Sequence, residues 1–418
     1  MISSPGRLNL VASAAPPAPA VGPHGRNHQG AALLANSFRP FFLFGSIQAG
    51  LAILVWLPVF YGDLSLTSAF APRGWHVHEM LYGYLPAAIT GFLFTAIPNW
   101  TGRLPIRGTP LLMLVLVWIA GRLAVTFSAE ATWWVALIVD AAFLALVAGA
   151  AARKILAGKN WRNLIVVMLV SLLLAGNIGF HLEAHLRGAA DYSIRAGIAV
   201  VVLLISLIGG RIVPSFTRNW LVRENPGRLP VPFSRFDMIV VATGALALLG
   251  WIVWPESRVT GTALALAALL HLVRLARWAG DRTFRERLLV ILHVGYLFVP
   301  VGFLLGALAA FGVAPASAGI HAWTVGGAGI MTLAVMTRAS LGHTGQELTA
   351  STATQAIYLA IITAAVARIC AVLHPAASEV LLHVAGFAWI AAFFGFALAY
   401  GPLLLGSRRR GAERRAPA

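Results

Sequence analysis

Twelve apolar stretches, separated by short polar joints, run through this 418-residue chain. They lie near 40–61, 77–98, 109–128, 132–152, 163–186, 195–216, 237–255, 260–279, 287–311, 319–338, 352–373 and 379–405. Each is about 20 residues long, the length a helix needs to cross the hydrocarbon of a bilayer. Within that layer every backbone N–H and C=O has to find its partner inside its own segment, which a helix provides. The pattern therefore predicts an all-α, polytopic membrane protein of twelve transmembrane helices. Charged residues make up 11% of the chain and the mean hydropathy is +0.81. A soluble domain carries roughly 25% charged residues.

The net charge of +17 does not mark a nucleic-acid binder, because the cations sit between the apolar stretches. One set of joints is basic: Arg103 and Arg107; Arg153, Lys154, Lys159 and Arg162; Arg218, Arg223, Arg228 and Arg235; Arg277, Arg282, Arg285 and Arg287; Arg338. The alternate set, 62–76, 129–131, 187–194, 256–259, 312–318 and 374–378, is short and nearly neutral. The positive-inside bias puts the basic joints and both termini in the cytoplasm. Residues 1–36, rich in Ala and Pro, read as a disordered cytoplasmic tail, 37–406 as the membrane domain and 407–418 as a basic cytoplasmic tail. The partner that basic joints select is anionic membrane lipid. Cys370 is the one cysteine and lies in an apolar stretch, which excludes disulfides and thiolate metal clusters.

The chain also repeats. Phe38-Arg39, Trp161-Arg162 and Phe284-Arg285 each precede an apolar stretch and are spaced 123 residues apart. His78 and Thr101 are 23 residues apart, as are His321 and Thr344, and Gly83 then matches Gly326. Pro98-Asn99-Trp100-Thr101 has a fainter copy in Pro214-Ser215-Phe216-Thr217. Arg122 and Arg368 are separated by 246 residues, twice the period. We read three pseudo-repeats of four helices, about 38–155, 161–280 and 284–406, which makes the second, sixth and tenth helices equivalents.

Histidines gather at one depth. His76, His78, His181, His185, His321, His374 and His383 all fall near the neutral ends of their stretches. Imidazole is a common metal ligand, and His181 and His185, four residues apart, share one helix face that Asn177 continues. A single interfacial histidine usually does no more than solvate a helix end; seven in one layer favour a metal or haem site. Imidazole suits copper, zinc and iron alike. Arg122 and Arg368, just inside the same face, suit the propionates of a haem, or snorkel to the interface, or pair with Asp140 and Glu79.

WHVHEMLYGY (75–84), GFLFTAIPNWTGR (91–103), GGRIVPSFTRNW (209–220) and LAVMTRASLGHTG (333–345) together resemble the NnrS family of bacterial inner-membrane proteins. The likeness runs from Phe38 to about Leu405, and Gln346 stands where the family usually has a basic residue. The resemblance implies haem (b type) and copper, nitric oxide as ligand, an electron donor it does not identify, and a role in nitric oxide tolerance. Reduction of nitric oxide, its sensing or binding, and transport of a metal or metal–nitrosyl species all remain open. A second, architectural likeness is to the catalytic subunit of haem–copper oxidases and nitric oxide reductases. It makes His78 and His321 the axial haem ligands, although the histidine pair of the seventh helix in those enzymes has no counterpart at 237–255. Copper then falls to His181 and His185, with His76 or His383 as a third ligand.

Overall fold

The computed structural model describes residues 30–406. Most of the tail expected at 1–36, and all of the one at 407–418, lie outside the described residues. Ala32–Leu34 forms a short turn whose leucines pack on the bundle. The described residues are helical throughout, without strands, and twelve of the helices are long and apolar enough to span a membrane. In chain order they are Phe38–Tyr61, Pro72–Thr101, Thr109–Thr126, Trp133–Ala157, Trp161–Arg187, Asp191–Glu224, Arg235–Val253, Arg258–Arg282, Arg287–Ala310, Ala316–Thr344, Thr352–Leu373 and Pro375–Leu405. Each coincides with one apolar stretch of the sequence, extended by up to a few turns.

The ends follow local chemistry. Pro72 opens the second helix, where a missing N–H costs nothing, and Gly102, at φ 66°, closes it in the left-handed region. Ser234 and Asp237 form a reciprocal capping box at the start of the seventh helix.

The second, sixth and tenth helices form the centre. Their spans are 72%, 61% and 67% buried, against 33–56% for the other nine. The rest pack around them in sequence-adjacent groups: third to fifth, seventh to ninth, and eleventh and twelfth with the first. All three central helices carry a π-helical segment: Glu79–Tyr84, Ile205–Gly209 and Ala322–Gly329. A π turn inserts a residue into the helical register, re-aims the side chains that follow and releases a carbonyl from the helical ladder. In the sixth helix the Ser206 carbonyl accepts a hydrogen bond from Arg274 Nη1 at 2.9 Å. Arg274 is fully buried and also donates to Asp237 Oδ1 and Tyr296 Oη, each at 2.9 Å, while His271 Nδ1 lies 2.9 Å from the same phenol. His271 and Arg274 are thus held in a polar knot between the sixth to ninth helices, in which Arg274 Nη2 alone is buried without a partner.

Candidate metal centre

Five consecutive helices send polar side chains to one point. His78 and Glu79 stand about two turns into the second helix, Arg122 one turn from the end of the third, and Asp140 about two turns into the fourth. Asn177 and His181 lie in the closing turns of the fifth, and Gln48 reaches in from the first. His78 and Glu79 are 0% exposed, Asn177 1%, Asp140 and His181 2%, and Arg122 7%. The cluster lies at the end of the bundle where the joints are neutral.

Asp140 is its hub. One carboxylate oxygen, Oδ1, pairs with Arg122 Nη2. The other, Oδ2, lies 3.2 Å from Nε2 of His78 and 3.2 Å from Nε2 of His181, and accepts from Asn177 Nδ2 at 2.8 Å. Asn177 Oδ1 is 2.9 Å from His78 Nε2. Arg122 Nη1 donates to Glu79 Oε1 at 2.7 Å, and Gln48 Nε2 to Glu79 Oε2 at 2.6 Å. With ionised carboxylates, two negative groups face one guanidinium, and the remaining negative charge can be balanced by a proton on His78 or by a bound cation.

One ligand atom each from His78, Asp140 and His181 lies within 4.8 Å of the other two. Ligands held about 2.0–2.2 Å from a tetrahedral ion are roughly 3.3–3.6 Å apart, close to the 3.2 Å separations seen here. His78 Nδ1 is buried without a hydrogen-bond partner, 3.6 Å from Glu79 Oε1. Metal binding at Nε2 fixes the proton on Nδ1, where it points to that carboxylate, the outer partner that ligating histidines commonly have. The residues therefore fit a small cation. They do not fit a haem on His78: Asn177 and Asp140 occupy the space before Nε2, and Phe70, Tyr82, Phe180 and His181 surround the ring at centroid distances of 5.0–5.6 Å.

Two glycines make the room. A Cβ on Gly121 would lie 3.0 Å from Asp140 Oδ1, and one on Gly83 would strike Arg122 Nη1. Gly83→Ala is expected to push Arg122 off its carboxylates and lower stability by about 1–3 kcal/mol. Thermal unfolding in detergent checks this against Gly149→Ala, whose new methyl meets nothing within 4 Å and is expected to be silent.

The other singled-out residues go elsewhere. His321 stands in a different cluster from His78. Its Nδ1 lies 2.6 Å from the Ser317 carbonyl, which leaves Nε2 as the nitrogen open to a ligand, and Arg368 and His76 are within electrostatic reach. His76 stacks on Trp56 at 4.5 Å and leaves Nδ1 buried and unpartnered. Arg368 forms no ion pair with a carboxylate among the described residues. Arg122, by contrast, is engaged by Glu79 and Asp140 rather than open to a propionate. His185 stacks on Trp133 at 4.1 Å, and with His181 it lines a small pocket of about 30 Å³ that Phe70, Ser128 and Ala136 complete. His383 stacks on Tyr61 at 5.0 Å.

The profile of one protein family, described as NnrS protein, matches residues 32–408. The chain belongs to the NnrS family. No curated protein matches it. Membership links the chain to the nitric oxide response, and the NnrS motif WHVHEMLYGY proves to supply His78 and Glu79 to the buried cluster and Tyr82 to its wall.

Proposed function

We propose that this NnrS protein binds one copper ion at His78, Asp140 and His181, and that nitric oxide meets the metal there. The convergence of two imidazole nitrogens and one carboxylate oxygen carries the reading. Copper held there would supply a one-electron couple and a site for the gas. The chain's own part is definable. Arg122 neutralises one side of Asp140 and so leaves Oδ2 to the metal side, while Glu79, 3.6 Å from His78 Nδ1, is placed to take up its outer proton once a metal holds Nε2. The pocket beside His181 and His185 has room for about one water-sized molecule, which suits a diatomic gas. By the positive-inside bias this neutral end faces away from the cytoplasm, across the bacterial inner membrane.

For a haem the suitable ligands are His76 and His321 rather than His78 and His321, with Arg368 for its carboxylates. The Nδ1 bond that leaves His321 Nε2 open and the unpartnered Nδ1 of His76 support that choice. The three π-helical central helices support the reading of the chain as three four-helix repeats. Transport of a metal or metal–nitrosyl species needs polar groups that continue inward from the cluster. Of the deeper groups that could serve, His271 and Arg274 bond to Tyr296 and Asp237, and His293 Nδ1 lies 3.0 Å from the Leu289 carbonyl, while Arg274 Nη2 stays buried without a partner.

Elemental analysis of protein purified without chelator, followed by anaerobic addition of nitric oxide, tests the proposal. One copper per chain is expected, with an electron paramagnetic resonance signal that nitric oxide changes. A metal-free preparation that takes up no copper would sink it.

A further inference from the structure

At the opposite, basic end of the bundle the three central helices enclose a second space, a cavity of about 500 Å³. Pockets for small organic ligands run roughly 300–1,000 Å³. Phe92, Ile208, Leu292 and Val335 give it a largely apolar wall. Its rim is built from the repeated helix ends: Asn99 and Trp100 of the second helix, Phe216 of the sixth, Gly342 and His343 of the tenth. Asn99, Gly342 and His343 are exposed, so the cavity opens toward the basic joints.

Two guanidiniums line this apolar space. Arg211 donates from Nη1 to Asn163 Oδ1 at 3.2 Å, and Arg338 lies over the Phe216 ring at 4.4 Å. Neither forms an ion pair with a carboxylate among the described residues. Glu286 acts on Arg338 only from beyond ion-pair distance and accepts from the Leu288 N–H at 3.0 Å, so Arg338 keeps its fork open. A cation beside apolar walls is costly without a counter-charge, and the arginine fork is shaped for the paired oxygens of a carboxylate or phosphate.

We propose that this cavity binds an amphipathic oxyanion, an apolar body with a carboxylate or phosphate head, with the head on Arg211 and Arg338. The site is independent of the metal centre, which lies at the other end of the helices.

Protein in phosphatidylcholine nanodiscs, titrated with cis-parinaric acid, tests the assignment. Trp100 lines the cavity, so energy transfer from tryptophan to the polyene reports occupancy. Saturable transfer is expected from the acid and not from its methyl ester. Arg211→Gln and Arg338→Gln should each weaken binding about tenfold or more, the usual effect of losing a charged hydrogen bond. Ala96→Phe puts a ring into the cavity and keeps both charges, so it should weaken saturable transfer even if an arginine variant misfolds. In nanodiscs containing phosphatidylglycerol, loss of parinarate binding identifies the lipid phosphate as the occupant, and retained binding identifies a free carboxylate. Equal transfer from acid and ester, or unchanged affinity in Ala96→Phe and in well-folded arginine variants, overturns the proposal.

Discussion

His181→Ala is expected to purify as a folded membrane protein without copper at the candidate centre. The substitution removes one of three converging ligand atoms and joins the vacated volume to the 30 Å³ pocket beside it. His78→Ala should do the same. Asp140→Asn keeps the shape but removes the negative charge that offsets the metal, so its copper should fall at least as far. Asn177→Ala keeps all three ligands and loses an outer contact to His78 and Asp140, which commonly costs 10- to 100-fold in metal affinity. His185→Ala separates this centre from the pair suggested by helical spacing. That ring is stacked on Trp133 and has no hydrogen bond or ion pair with Asp140, so its loss should leave copper bound. His321→Ala should likewise leave copper in place. Copper per chain, measured by mass spectrometry on folded variants, checks the set. Full copper in His78→Ala and His181→Ala would refute the centre, and equal loss in His185→Ala would return the site to the helical pair.

The positions of the helices could be read from the sequence because lipid imposes them: a stretch without charge and of spanning length has few alternatives. Depth was legible too. His78, Asp140 and His181 come from three helices, yet counting residues from the neutral joints places all three about two turns in. Direction around each helix was not legible. His76 and His78 are two residues apart and therefore roughly 200° apart around the helix, so one layer of histidines divides into two clusters. Hydropathy cannot tell which neighbour each side faces when every neighbour is apolar. Arg122 had three readings in the sequence; the carboxylate pairing with Glu79 and Asp140 is the one the structure shows. Asp140 as a shared hub left no signal beyond being an acid in an apolar stretch. The π segment beginning at Glu79 shifts the register directly after His78, a change that apolar periodicity does not record.

Arg122→Met is expected to be the most damaging single change at this end of the bundle. It leaves Glu79 and Asp140 buried, both 2% exposed or less, without the guanidinium that joins them. Breaking one partner out of a buried ionic network costs about 3–5 kcal/mol, a large share of the net stability of a folded domain. The variant should unfold far below the wild type in detergent or fail to accumulate. Adding Glu79→Gln removes one of the two stranded charges while Gln48 keeps a polar neighbour, so the double variant should recover much of the loss. Glu79→Gln alone has the opposite bias: it makes the cluster one unit less negative. The wild type should therefore lose stability when a chelator strips its metal, because bound ligand stabilises the folded state by mass action. The gap between the unfolding temperatures with and without chelator should narrow in Glu79→Gln. An Arg122→Met protein as stable as wild type, or a double variant no better than the single, would mean that the guanidinium does not balance these carboxylates. A chelator effect of the same size in Glu79→Gln and wild type would separate the charge of the cluster from its metal.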